Sequence, residues 1–181
     1  EPYDNFNEEC YKIGRSYTDA NQYLSLVHES DKAVKNFIEY FSKVDDPVEI
    51  VFFGDHQPSL NSNFYPLLNG KGMSGLTEDE LEALYTVPFF IWTNYDTPEE
   101  TVDITSLNFL STMTLERAGI ELPAYNKVLA DMMETVPAIN SRGYYSKEKQ
   151  CYQHIDDATG EEAEWIKNYH MLQYNSMFDK K

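Results

Sequence analysis

Basic residues are scarce in this sequence. Its 181 residues include 14 Lys and Arg against 31 Asp and Glu, which gives a formal net charge of −17. Such a charge repels phosphate backbones and anionic lipid headgroups, so it argues against nucleic-acid binding and against electrostatic docking to a membrane. It favours interaction with cations, although a solvated acidic surface is the simpler explanation.

Cysteine is also scarce, because only Cys10 and Cys151 are present. Their spacing does not decide between one disulfide bridge and two unpaired thiols. No apolar run approaches the roughly 18 residues of a transmembrane helix, and the acidic residues 1–10 do not resemble a signal peptide. The chain begins without Met in an irregular stretch, residues 1–17, and we therefore expect a piece of a longer protein.

Apolar and aromatic residues are abundant enough for a packed core. Hydrophobic residues make up 41% of the chain, with 14 Tyr and 10 Phe, and the length fits one domain. A helix is predicted from Thr18, with an apolar stripe at steps of three and four residues. The stripe consists of Tyr23, Val27, Ser30, Val34, Phe37, Ile38 and Phe41.

Two short runs, residues 48–53 and 87–92, consist mainly of β-branched and aromatic residues. Uninterrupted runs of this kind are typical of strands that are buried on both faces of a parallel sheet. A capping box at Thr77 and Glu80 predicts a short helix between these two runs. The order of helix, strand and loop indicates an α/β fold, with mostly buried short strands flanked by helices.

Asp55 and His56 follow the first of these strands directly, after Gly54. Ligands bind outside the carboxyl ends of strands in α/β sheets, and carboxylate and imidazole groups suit Zn²⁺ or Mn²⁺. For both side chains to reach one ion, the chain must turn at Asp55, and Gly54 and Pro58 favour that turn. The alternative is a capping Asp and a hydrogen-bonded His at a strand end.

No other stretch carries a comparable signal for chemistry. The sequence contains no P-loop, dinucleotide fingerprint or nucleophile elbow. The remaining histidines, His28, His154 and His170, are interpreted as a partly buried helix residue and two exposed residues.

The order of segments resembles the C-terminal half of the sulfatase-like catalytic domain of lipoteichoic acid synthases and related phosphoglycerol transferases, in the alkaline phosphatase superfamily. The resemblance runs from about residue 17 and includes a long helix followed by a buried strand that ends in Gly-Asp-His. It is carried by "QYLSLVHESDKAVKNFIEYFSKVDDPVEIVFFGDHQPSL", "VPFFIWTNY", "TSLNFLSTMTLERAGIELPAYNKVL", "VPAINSRGYY" and "YHMLQYNSMF". The fold class that it implies is a partial sulfatase-like sandwich, with a C-terminal trailer over residues 140–181 that includes a closing helix.

The resemblance implies a metal-dependent mechanism. One divalent ion, typically manganese, is held by a Glu, a nucleophilic Thr, and the Asp and His that correspond to Asp55 and His56. The Thr takes up the phosphoglycerol group as a covalent intermediate, from a lipid-linked or polymeric glycerophosphate substrate, and passes it to an acceptor, so that the parent acts on cell-surface polymers. The nucleophile and the Glu belong to the N-terminal half of that domain, so no residue of this chain is assigned a catalytic role, and the chain alone is expected to be inactive.

The resemblance also sets expectations about partners and location. The main partner would be the remainder of the same catalytic domain, and exposed sheet edges would allow a dimer. The parent protein would act at the extracellular face of the cell membrane, and this piece alone would be soluble. A sulfatase or a phosphoethanolamine transferase is the near alternative, and an acidic extracellular binding module without catalysis is the more distant one.

Overall fold

A computed structural model describes residues 18–178, which form two compact units, one ending at Asp96 and the other beginning at Thr97. Cys10 and the stretch 1–17, predicted to be irregular, lie outside the described residues. Cys151 lies half-buried on a strand of the second unit. The assignment of the whole chain to one domain with a trailer at 140–181 stays a prediction.

The first unit combines helices with a two-stranded antiparallel sheet. Its elements are α1 (Thr18–Phe41), β1 (Glu49–Phe53), α2 (Tyr65–Asn69), α3 (Glu78–Ala83) and β2 (Phe89–Thr93). The capping box predicted for α3 is confirmed, because Glu80 N donates to Thr77 Oγ1 at 3.3 Å and Thr77 N donates to Glu80 Oε2 at 2.7 Å.

The strands of this unit differ from the expectation in direction and burial. β1 pairs antiparallel with β2, from Glu49 opposite Thr93 to Phe53 opposite Phe89, so the predicted parallel arrangement was wrong. Phe52 and Phe53 are 41% and 48% exposed. The cause is that an apolar run specifies neither the direction of its partner nor the presence of a covering layer, and within residues 18–178 each of these strands pairs along one edge only.

Asn94 ties the end of α1 to the start of β1. Its Nδ2 lies 3.3 Å from Phe41 O, 2.9 Å from Val44 O and 2.9 Å from Asp46 O, and its Oδ1 accepts from Val48 N at 2.8 Å. One amide thus serves the last turn of the helix and the connection that follows it, where backbone carbonyls have no helical partner. These contacts fix the start of β1 relative to the C-terminal end of α1.

The second unit packs three helices against a small antiparallel sheet. It contains α4 (Leu107–Arg117), α5 (Ala124–Met133), β3 (Ala138–Ile139), β4 (Gly143–Ser146), β5 (Cys151–His154) and α6 (Gly160–Phe178), with the strands in the order β3-β4-β5. Its core comprises Phe109, Leu129, Met132, Val136, Ile139, Tyr144, Ile166 and Tyr169. Among residues 18–178, no helix has both the length and the apolar content of a membrane span.

A buried carboxylate joins the sheet of the second unit to α6. Glu162 is 7% exposed and accepts from Tyr144 Oη at 2.8 Å and from Ser146 Oγ at 2.5 Å. Burial, followed by the hydrogen bond to Glu162, raises the pKa of Tyr144 well above its ordinary value. Both oxygens of the buried carboxylate are therefore satisfied, as a buried charge requires.

Candidate functional site

Asp55 and His56 lie in a turn that begins where the β1–β2 ladder ends. Gly54 N donates to Pro88 O at 3.1 Å, one position beyond the last strand pair. A Cβ on Gly54 would stand 2.9 Å from Val87 Cβ, a separation that real Cβ atoms essentially never show. The close approach of the segment before β2 therefore requires glycine here.

The two side chains converge. His56 Nε2 lies 3.6 Å from Asp55 Oδ2, and the side chains are 77% and 84% exposed, respectively. Two atoms that each lie about 2.1 Å from one tetrahedral cation are about 3.4 Å apart. The donor pair thus has a separation and an accessibility that fit a shared divalent cation, in the chemical types that Zn²⁺ and Mn²⁺ accept.

The other polar atoms of the pair are engaged locally. Asp55 Oδ1 accepts from His56 N at 2.9 Å, and His56 Nδ1 lies 2.9 Å from Gln57 O. Each residue therefore uses one side-chain atom to stabilise the turn and presents the other to its neighbour. The expected bend of the chain at Asp55 is present.

Three contacts hold the loop that continues from the turn. Gln57 Nε2 donates to Thr86 O, and Tyr65 Oη donates to Pro58 O at 3.1 Å. Asn61 N donates to Asp19 Oδ2 at 2.6 Å. Sequence reasoning did not find these contacts, because their partners lie 29, 7 and 42 residues apart and no local pattern marks them.

The other histidines do not join this pair in a ligand cluster. His28 lies exposed on α1, and His154 and His170 are exposed in the second unit. Within residues 18–178, no group of three or more His, Cys, Asp and Glu side chains is arranged to hold a metal ion. In the described part of the chain, Asp55 and His56 thus amount to two donors of a site that would need at least one more.

Comparison with protein families gives the class of this chain. The Sulfatase family model matches residues 1–120, which is more than half of the chain and includes the Gly-Asp-His turn. The chain belongs to the sulfatase family, as the resemblance implied. Members of this superfamily are generally dependent on divalent metals.

Two curated proteins of Rhizobium meliloti are similar to this chain in sequence. The chain is 26% identical over 171 residues to the "Putative cyclic beta-1,2-glucan modification protein" of Rhizobium meliloti, covering 88% of this chain and 25% of that protein. It is 39% identical over 51 residues to the capsular polysaccharide biosynthesis protein RkpI of the same organism, covering 28% of this chain and 10% of the relative.

A solved structure shares the fold. The phosphoglycerol transferase GacH of Streptococcus pyogenes, in complex with sn-glycerol-1-phosphate, matches with a TM-score of 0.65 and 18% identity. The match covers 91% of this chain and 37% of GacH. The mixed α/β class predicted from the sequence is confirmed as that of a sulfatase-like phosphoglycerol transferase. The chain spans a quarter or less of the curated relatives' lengths.

Proposed function

We propose that this chain is part of a metal-dependent phosphoglycerol transferase and that Asp55 and His56 are two ligands of its divalent cation, Mn²⁺. The observation that carries the proposal is the convergence of Asp55 Oδ2 and His56 Nε2 at 3.6 Å on an exposed turn. Membership of the sulfatase family supports it. An anionic oxygen and a neutral imidazole nitrogen are suitable donors for Mn²⁺.

The names of the relatives support the choice of substrate. GacH was solved with sn-glycerol-1-phosphate, which supports phosphoglycerol as the group that is transferred. The two curated relatives are named for glucan modification and for capsular polysaccharide, which supports a cell-surface glycan as the acceptor. Both observations favour this activity over that of a sulfatase or a phosphoethanolamine transferase, and they support a reaction at the extracellular face of the membrane.

The residues of the turn have separate tasks in this proposal. Asp55 supplies negative charge and one oxygen donor, and His56 supplies one nitrogen donor. β1 and the contacts of Gly54 hold both in one orientation, which limits the entropy lost on binding. A divalent cation in such a site lowers the pKa of a coordinated hydroxyl and offsets the charge of a phosphoryl group.

We further propose that the Glu ligand and the nucleophilic Thr lie in a part of the parent protein beyond residues 1–181. The coverage of 25% of one relative and 37% of GacH supports this, as does the pair of donors in a site type that needs three or four. On this proposal, residues 1–181 alone do not catalyse transfer, and their main partner is the remainder of the catalytic domain.

Replacement of the two donors in the full-length protein tests the proposal. Asp55→Ala and His56→Ala should each lower bound Mn²⁺ and phosphoglycerol transfer by at least about 100-fold, because a lost ligand exceeds the 10–100-fold effect of a lost supporting residue. Metal content by mass spectrometry and transfer from a radiolabelled glycerophosphate donor are the two measurements.

A second exposed histidine–aspartate pair provides the matched control. His154 Nδ1 lies 3.5 Å from Asp156 Oδ2, with side-chain exposures of 63% and 87%. His154→Ala and Asp156→Ala should leave metal content and transfer within about twofold of wild type. If the Asp55 and His56 variants behave like these controls, the metal assignment is wrong and a binding module without catalysis becomes the better description.

A further inference from the structure

We propose that Gln57 is a positioning residue that keeps the neutral imidazole of His56 protonated on Nδ1 and so leaves the lone pair of Nε2 on the side of Asp55. The inference rests on the proposed function, since it explains how one nitrogen is selected as the metal donor. Gln57 acts through its main chain on His56 and through its side chain on the segment before β2.

The first step concerns the proton of His56. Nδ1 lies 2.9 Å from the carbonyl oxygen of Gln57, and a carbonyl oxygen only accepts hydrogen bonds. A neutral imidazole with its proton on Nε2 would point a lone pair from Nδ1 at that oxygen. The tautomer protonated on Nδ1 is therefore favoured, and Nε2 has a free lone pair.

The second step concerns the neighbour of Nε2. Asp55 Oδ2 lies 3.6 Å away, which is beyond the range of a hydrogen bond. The carboxylate therefore does not draw the proton to Nε2 by a direct bond. The gap between the two atoms suits two donors of one cation rather than a donor and an acceptor.

The third step concerns what holds the Gln57 carbonyl in place. The side-chain amide of Gln57 donates to Thr86 O, and the next peptide group is fixed because Pro58 O accepts from Tyr65 Oη. The proline ring also restricts the backbone around Pro58. The carbonyl that selects the tautomer thus lies between two anchored points, and loss of the amide of Gln57 removes one of them.

The second histidine–aspartate pair shows the opposite arrangement and serves as an internal reference. Asp156 N donates to His154 Nδ1 at 3.3 Å, so this nitrogen accepts and the proton of the neutral ring lies on Nε2. Two similarly exposed pairs in one chain are therefore expected to differ in tautomer. The difference follows from the backbone group that each Nδ1 meets.

The test is a tautomer measurement on the full-length, metal-free protein. Nitrogen-15 labelling of histidine, with the signals of His56 and His154 assigned by single substitution, distinguishes a protonated from an unprotonated ring nitrogen at a pH where the ring is neutral. Wild type should show the proton on Nδ1 in His56 and on Nε2 in His154. Gln57→Met keeps the side-chain length but cannot donate to Thr86 O, so the Gln57 carbonyl loses one of its anchors. The tautomer ratio of His56 should then shift about fivefold toward Nε2–H, as loss of the hydrogen bond from Nδ1 to that carbonyl implies.

Calorimetric titration with Mn²⁺ provides the second measurement. Gln57→Met should weaken binding about 10-fold or more, in the range reported for residues that orient metal ligands. Gln22→Met, at an exposed position of α1, should change neither the tautomer nor the affinity.

The outcomes separate this inference from the proposed function. A wild-type His56 with its proton on Nε2, or a Gln57→Met variant with unchanged tautomer ratio, overturns the positioning role. The tautomer of His56 measured in the wild-type protein tests the inference even if the Gln57→Met variant fails to fold. If the tautomers and the Gln57→Met shift are as expected but wild type binds no Mn²⁺, the positioning role holds and the proposed function fails.

Discussion

The amide of Asn94 should contribute a large share of the stability of the first unit. Asn94→Ala removes the acceptor for Val48 N at 2.8 Å and the donor for the carbonyls of Val44 and Asp46, each at 2.9 Å. At about 1 kcal/mol net for each bond, and with a discount for partial exposure, we expect a loss of about 2–3 kcal/mol. The longer contact to Phe41 O at 3.3 Å adds little.

A second substitution at the same position makes the prediction specific to the donor. Asn94→Asp keeps an acceptor for Val48 N but turns a carboxylate toward carbonyl oxygens. At pH 7 it should therefore be less stable than Asn94→Ala by about 1 kcal/mol. The carbonyls raise the folded-state pKa of the introduced group, so stability returns as the pH falls toward about 4 and the protonated carboxyl becomes a donor.

Urea unfolding followed by tryptophan fluorescence measures both variants. The chain contains two tryptophans, and Trp92 lies on β2, two residues before the altered position. In a Trp165→Phe background, the emission of Trp92 reports on the first unit, and a loss of about 2 kcal/mol should lower the midpoint by roughly 1–2 M urea. Asn63→Ala, at an exposed loop position, should stay within about 0.5 kcal/mol of wild type. An Asn94→Ala variant with the same urea midpoint as Asn63→Ala would refute the reasoning.

Three further predictions concern other positions. Gly54→Ala brings a Cβ to 2.9 Å from Val87 Cβ and should cost about 1–3 kcal/mol in urea unfolding while weakening Mn²⁺ binding in calorimetry. Burial and the hydrogen bond to Glu162 raise the pKa of Tyr144, so the folded state retains a proton that the unfolded chain releases. The free energy of unfolding should therefore fall as the pH rises above about 10. Tyr144→Phe should reduce that decline, as measured by thermal unfolding between pH 8 and 11. Thr77→Ala removes the N-cap of α3 and should cost about 1 kcal/mol, seen as faster hydrogen exchange at the amide it caps.

Local signals in the sequence located the elements well. The capping box of α3 depends on contacts within a few residues and occurs as predicted, and α1 covers the stretch from Thr18 that was predicted to be helical. The apolar stripe of α1 was a weaker guide to burial, because Val27 and Phe37 are 44% and 51% exposed. Periodicity shows which residues share a helix face, whereas burial depends on what packs against that face.

Long-range features were not accessible in the same way. β1 and β2 pair antiparallel across the intervening residues 54–88, and neither run contains a feature that specifies this direction. The adjacency of Asp55 and His56 in the sequence identified the candidate donors, but not that Gln57 would reach Thr86. The tautomer of His56 depends on a carbonyl whose orientation is set by that distant contact, so only coordinates could supply it.

The exposure of the donor pair bears on how the site would obtain its affinity. Asp55 and His56 are 84% and 77% exposed, so water competes for any cation that they hold and screens the attraction between their charges. The net charge of −17 raises the local concentration of cations, but this field does not distinguish Mn²⁺ from other divalent ions. Selectivity and tight binding must therefore come from further ligands that close the open side of the turn. A turn that already holds two donors in place lowers the conformational entropy that is lost when such a site binds its cation. The contacts of Gly54 and Gln57 would hold the turn in this way.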